Sequence, residues 1–142
     1  MKFGTRQISV LALVLMLLST GACSLLKGRE TGERAVTRFH DQFNAEQYLD
    51  IYKQSDEGFR KATSESDMTA LFSAVRRKLG TVKNTNQTRW NVNSTPAGTM
   101  VVLAYDTEFT EGKAQEQFVY YVSGNDAKLY RYDILSPLLV TK

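Results

Sequence analysis

TMVVLAYDTEFTEGKAQEQFVYYVS, residues 99–123, decides the fold. Its first half alternates: Val101, Leu103, Tyr105 and Phe109 fall on one side of a strand, and Val102, Ala104, Asp106 and Glu108 on the other. Glu111-Gly112 then supplies a two-residue hairpin turn, and residues 113–123 return as a second strand. This turn predicts a register that opposes Phe109 to Ala114, Tyr105 to Phe118, Leu103 to Tyr120 and Val101 to Val122. A three-residue loop over Gly124–Asp126 leads into a last strand, residues 127–135, which Pro137 stops. It is expected to bring Tyr130, Tyr132 and Ile134 onto the same face. Upstream, residues 81–93 read as a polar strand carrying Trp90 and Val92, joined to the hairpin by the turn Ser94-Thr95-Pro96-Ala97-Gly98.

Before Gly80 the apolar period is that of a helix. Met68, Leu71, Phe72, Val75 and Leu79 make one stripe, Ser64 with Asp67 reads as a capping box, and Arg76, Arg77 and Lys78 suit the C-terminal dipole. Gly80 is placed to take a left-handed cap. Ala35, Val36, Phe39 and Phe43 give an earlier helix over residues 33–45, and Tyr48, Leu49, Ile51 and Tyr52 a short second one. The expected fold class is α+β: N-terminal helices on one face of a four-stranded antiparallel sheet, as a single domain over residues 33–142. The other face, with Val102, Ala104, Asp106, Val119, Tyr121, Leu129 and Arg131, mixes apolar and charged groups in a way that a purely solvated face does not. It reads as a dimer contact, a partner surface or a cleft floor, with Val102, Tyr121 and Arg131 as its leading residues; cover by the tail Leu138-Leu139-Val140 is the structural alternative.

The chain begins with a leader. Lys2 and Arg6 precede an apolar run from Ile8 to Leu18, too short to span a bilayer and of signal-peptide length. Leu17-Leu18-Ser19-Thr20-Gly21-Ala22-Cys23 resembles the lipobox of bacterial lipoproteins, with Thr20 where Leu is commonest. The resemblance implies a signal peptide over residues 1–22, lipid attachment at Cys23 and a tether over residues 23–32. Ser24, where Asp would mark inner-membrane retention, implies the outer membrane with the domain facing the periplasm. Cys23 is the only cysteine, so no internal disulfide supports the fold.

Whole-chain charge is +3; the leader holds two of the cations and no acid, which leaves +1. Nucleic-acid binding therefore has no electrostatic footprint. No GxGxxG, P-loop or HExxH occurs, and a single histidine, His40, cannot make a histidine-rich metal site, so no cofactor or metal is expected. His40 reads as a satisfied or surface residue. Asp106 and Glu108 share one strand face, and Glu116 lies on the opposite one. Glu116 is either a general base in a pocket lined by Tyr105, Tyr120, Tyr121, Tyr130 and Tyr132, or a structural carboxylate paired with Arg60 or Arg76. Period-2 aromatics are ordinarily core.

Phe39, Phe43, Gln47-Tyr48, Tyr52, Phe59-Arg60, Ser64, Leu71, Val75-Arg76, Leu79-Gly80, Val101-Val102-Leu103, Tyr105-Asp106-Thr107, Phe109 and Glu116 follow one ordered pattern. It resembles a family of small exported bacterial proteins whose domain has no assigned function, over roughly residues 33–135. Many members carry a Gly-Trp turn before the last strand, where this chain has Asn125-Asp126-Ala127-Lys128. The element order is also similar to cone-shaped folds of the nuclear-transport-factor-2 type, or to cystatin-like ones. These host enzymes, binding modules and dimerisation domains alike, so the likeness does not choose a function. The reading carried forward is a lipid-anchored, non-enzymatic module that binds an envelope protein or itself; the alternative is a small-molecule or isomerase-like pocket using Glu116.

Overall fold

The computed structural model describes the backbone of residues 5–140 and the side chains of residues 23–140. Lys2, Arg6 and the apolar run to Leu18, read above as a leader, have side chains outside that range. The elements run α1 (Thr5–Asn44), α2 (Tyr48–Gln54), α3 (Glu57–Ala62), α4 (Glu65–Leu79), β1 (Val82–Thr95), β2 (Gly98–Phe109), β3 (Lys113–Ser123), β4 (Asp126–Leu135) and α5 (Pro137–Val140). The four strands form one antiparallel meander in the order β1-β2-β3-β4, so the α+β architecture matches the expectation. Among the described residues no helix is long and apolar enough to cross a membrane.

The stretch 24–32 differs from its reading as a tether. It is helical and continuous with the rest of α1, and Gly28, Thr31 and Gly32 are buried. Glycine here serves close approach rather than flexibility. A Cβ on Gly32 would meet Val101 Cγ1 at 3.0 Å and Leu103 Cδ1 at 3.1 Å, so α1 lies directly on β2.

Ala35, Val36, Phe39 and Phe43 of α1 are buried on the sheet, and α4 completes the cover with Met68, Phe72, Val75 and Leu79. Leu71, expected in that stripe, is 44% exposed. The buried positions step by 4, 3 and 4 residues, and Leu71 falls outside that arc. Ser64 caps α4 as expected, accepting from the Asp67 N–H at 3.1 Å. At the other end Gly80 has φ 82° and ψ −146°, a glycine conformation but not the left-handed cap. A Cβ there would meet Thr110 Oγ1 at 1.8 Å.

That contact explains a correction to the β2–β3 register. The Phe109 N–H donates to the Gly112 carbonyl at 2.8 Å, so the turn residues are Thr110 and Glu111. Pairing is displaced by two residues: Thr107 opposes Ala114, Tyr105 opposes Glu116, Leu103 opposes Phe118 and Val101 opposes Tyr120. The turn is fastened to the end of α4, since the Thr110 and Glu111 N–H groups donate to the Thr81 and Leu79 carbonyls, each at 2.9 Å. A two-residue slip leaves every side chain on its face, so the inner and outer sets in β2 and β3 stand.

The β3–β4 hairpin departs further. Ser123 opposes Asp126 across a two-residue turn, Gly124-Asn125, and a bulge follows: Tyr120 pairs with Leu129 while Val119 pairs with Arg131. Leu129, expected on the outer face, is therefore in the core at 4% exposure. Tyr130, expected inside, is the extra residue; it is 39% exposed, with its ring 5.1 Å from that of Tyr121. Beyond the bulge Tyr132 and Ile134 return to the inner face. The hairpin thus forms without a Gly-Trp turn.

Candidate functional site

The outer face of the sheet is built by strand register alone. Reading across β1 to β4, its rows are Asn93–Met100–Tyr121–Lys128, then Asn91–Val102–Val119–Arg131, then Arg89–Ala104–Gln117–Asp133, then Asn86–Asp106–Gln115–Leu135. A last row pairs Asn84, Glu108 and Lys113. A bulge in β1 between Gln87 and Arg89 aims Arg89 outward, where its guanidinium donates to Gln117 Oε1 at 3.3 Å. Arg131 holds Asp133 in a two-point contact at 2.8 and 3.1 Å. Val119 is 8% exposed between its neighbours Val102 and Arg131, although no described helix lies across this face.

Two open grooves mark the lower half. One, of about 600 Å³, runs past Arg89, Ala104, Gln117, Asp133 and Leu135. The other, of about 620 Å³, lies below it between Glu108, Lys113, Pro137 and Val140. The C-terminal tail borders only this lower end. Leu139 packs on the core, Leu138 lies over Gly112, and Val140 is 78% exposed. Val102, Tyr121 and Arg131 stay clear of it, so tail cover does not account for them.

The inner face holds a closed polar cluster. Glu116 is 2% exposed, and its carboxylate accepts from Thr107 Oγ1 at 2.5 Å and Tyr132 OH at 2.6 Å. His40 Nε2 lies 2.9 Å from the same oxygen that Thr107 bonds. Each partner comes from a different element: α1, β2 and β4. Burial, and then the Glu116 charge and the bond to it, push the Tyr132 hydroxyl well above its ordinary pKa. The expected arginine partners are elsewhere. Arg60 donates to the Ser55 and Lys53 carbonyls, and Arg76 faces Glu46 at 3.6 Å. Reaching Glu116 would require either one to cross the aromatic core.

The sheet tyrosines are dispersed. Tyr105 takes a bond from Gln87 at 3.2 Å, within a network in which Arg29 holds Glu33 at 2.7 Å and stacks over Trp90 at 4.8 Å. Tyr120 points into the helix side of the core, where a cavity of about 20 Å³ beside Arg38 and Gln54 has room for one water. Tyr121 and Tyr130 meet on the outer side. No common pocket collects all five. His40 was the residue the sequence reading undervalued: position 40 lies among Val36, Phe39 and Phe43, so the same helical count that buried those also buries it.

Residues 34–131 match the family described as a protein of unknown function, DUF4019, a span of more than half the chain. The chain belongs to the DUF4019 family. No curated protein matches it. The DUF4019 span contains the outer-face residues Val102, Tyr121 and Arg131 and the inner cluster of His40, Thr107 and Glu116; Tyr132 falls one residue past its end and Cys23 lies before it. Cys23 is exposed on α1 and is not paired.

Proposed function

We propose that this DUF4019 protein is a lipid-anchored module of the bacterial cell envelope that works by binding protein through its outer sheet face. One observation carries the binding half. An apolar waist of half-buried Val102 and Ala104 beside the buried Val119, extended by Tyr121 and rimmed by charge, has no described helix across it, on a domain whose Glu116 cluster is closed off. Interfaces have this composition, an apolar centre within a polar rim. The competing pocket on Glu116 lacks an opening, because both carboxylate oxygens are occupied and the residue is 2% exposed.

The anchor half rests on the lipobox-like residues before Cys23. The cysteine stands five residues before Gly28, roughly 7–8 Å along a helix, and Gly28 packs beside Thr99 and Val92. A lipid on Cys23 places the β1–β2 turn next to the membrane and leaves the sheet face upright beside it. Ser24 after the cysteine directs the reading to the outer membrane, with the domain in the periplasm.

Membrane fractionation and affinity capture from solubilised envelopes test both halves. Wild-type protein is expected to sediment with membranes and Cys23→Ser to become soluble. Val102→Asp is expected to keep the membrane location and lose at least about tenfold of the captured protein, since a buried unpaired charge at an interface centre is costly. A Cys23→Ser chain that still sediments sinks the anchor. Capture indifferent to Val102→Asp sinks the binding face.

A further inference from the structure

The outer face is self-complementary, and we infer that its occupant is a second copy of this chain, packed sheet to sheet about a two-fold axis parallel to the strands between β2 and β3. This rests on the reading of that face as a binding surface. Such an axis sets β1 against the β4 of the other copy and β2 against its β3, row by row. Arg89 then meets Asp133, and Glu108 meets Lys113. Val102 meets Val119, and Met100 meets Tyr121. Lys128 and Arg131 fall opposite Asn93 and Asn91, and Asp106 opposite Gln115.

No row sets like charges together, and two rows set opposite charges together. A two-fold interface requires this property, because each patch must complement itself. The packing is the aligned kind, with the strands of the two sheets within about 30° of one another. The direction of the axis also suits the anchor. Gly28 lies beside Val92 and Thr99 at the β1–β2 turn, so an axis along the strands points both copies of Cys23 the same way, toward one membrane. An axis across the strands would send the two anchors to opposite ends.

The test is co-purification of two differently tagged full-length copies, expressed together and solubilised from the envelope. Arg89→Glu places a carboxylate against Asp133 at two symmetry-related sites. Its co-recovery is expected to fall on the order of tenfold, and Asp133→Arg, which faces Arg89, should do the same. The combined variant restores both contacts between the copies and should return most of the lost recovery. The Arg131–Asp133 pair that it gives up within each chain is exposed and contributes little. Thermal melting of each variant shows whether it folds, and all four side chains in the exchange lie at the surface.

Copies that co-purify but ignore the charge exchange overturn this interface. Copies that do not associate, while wild-type protein retains a different protein that Val102→Asp releases, overturn the second copy and leave the binding face standing. Absence of both overturns the two together.

Discussion

Glu116→Ala is expected to lower the stability of the purified protein by about 3–5 kcal/mol, the range for breaking a buried charged hydrogen-bonded group. The carboxylate is the common acceptor for Thr107, Tyr132 and His40. Removing it leaves two hydroxyls and a ring N–H buried without partners, each costing roughly 1–3 kcal/mol, offset in part by relief of burying the charge. Glu116→Gln keeps the shape and one acceptor oxygen, and the hydroxyls can turn to accept from its amide. It should cost less, on the order of 1–2 kcal/mol. Urea unfolding followed by circular dichroism measures both. Equal and small losses would show that the cluster contributes little and that the surrounding packing carries the core.

The second large effect is at Phe118, which is 0% exposed. Its ring lies 5.0 Å from Phe39, 5.1 Å from Tyr132 and 5.5 Å from His40, at the point where α1 crosses β3. Phe118→Ala is expected to cost about 3–5 kcal/mol, the usual range for a buried aromatic whose cavity cannot close. Two of these neighbours, His40 and Tyr132, are rings held by Glu116, so the site cannot collapse freely. The two substitutions share His40 and Tyr132, and their effects should not add. A loss below about 1 kcal/mol in the same urea experiment would contradict this packing. Neither variant touches the outer face, so a folded fraction should still bind through it.

What the sequence revealed follows from the strength of each local signal. The period-2 run through Val101, Leu103 and Tyr105 and the capped helix before Gly80 were legible, because side-chain alternation and capping are local. The register was not. Thr110 and Glu111 form the turn because their N–H groups are taken by the end of α4, a contact between residues about 30 apart that no turn propensity encodes. Leu129 and Tyr130 exchanged places for a similar reason. A turn one residue shorter inverts the alternation as far as Leu129, the bulge at Tyr130 restores it from Arg131 onward, and nothing in Ala127–Tyr130 announces either. The tether reading of residues 23–32 follows from the lipobox-like cysteine before them, and it does not see that the missing side chain of Gly32 allows α1 to contact Val101 and Leu103.

The same division applies to the site. Val102, Tyr121 and Arg131 were placed on one face by counting alone, and the structure keeps them there. The role of Glu116 depended on which elements surround it. Its partners are 76, 16 and 9 residues away in sequence, so neither His40 nor Tyr132 could be assigned to it by spacing. The pairings across the two-fold axis needed all three strand registers at once.

Photo-crosslinking in intact cells tests the outer face most directly. A photoreactive side chain at Val102, in the anchored full-length protein, is expected to give a discrete adduct. Its mass should be near twice that of the chain if the second copy is the occupant. The same group at Asp50, exposed on the helical side, should give none. Adducts from Asp50 and none from Val102, at equal protein levels, would place the working surface on the helices and contradict the account.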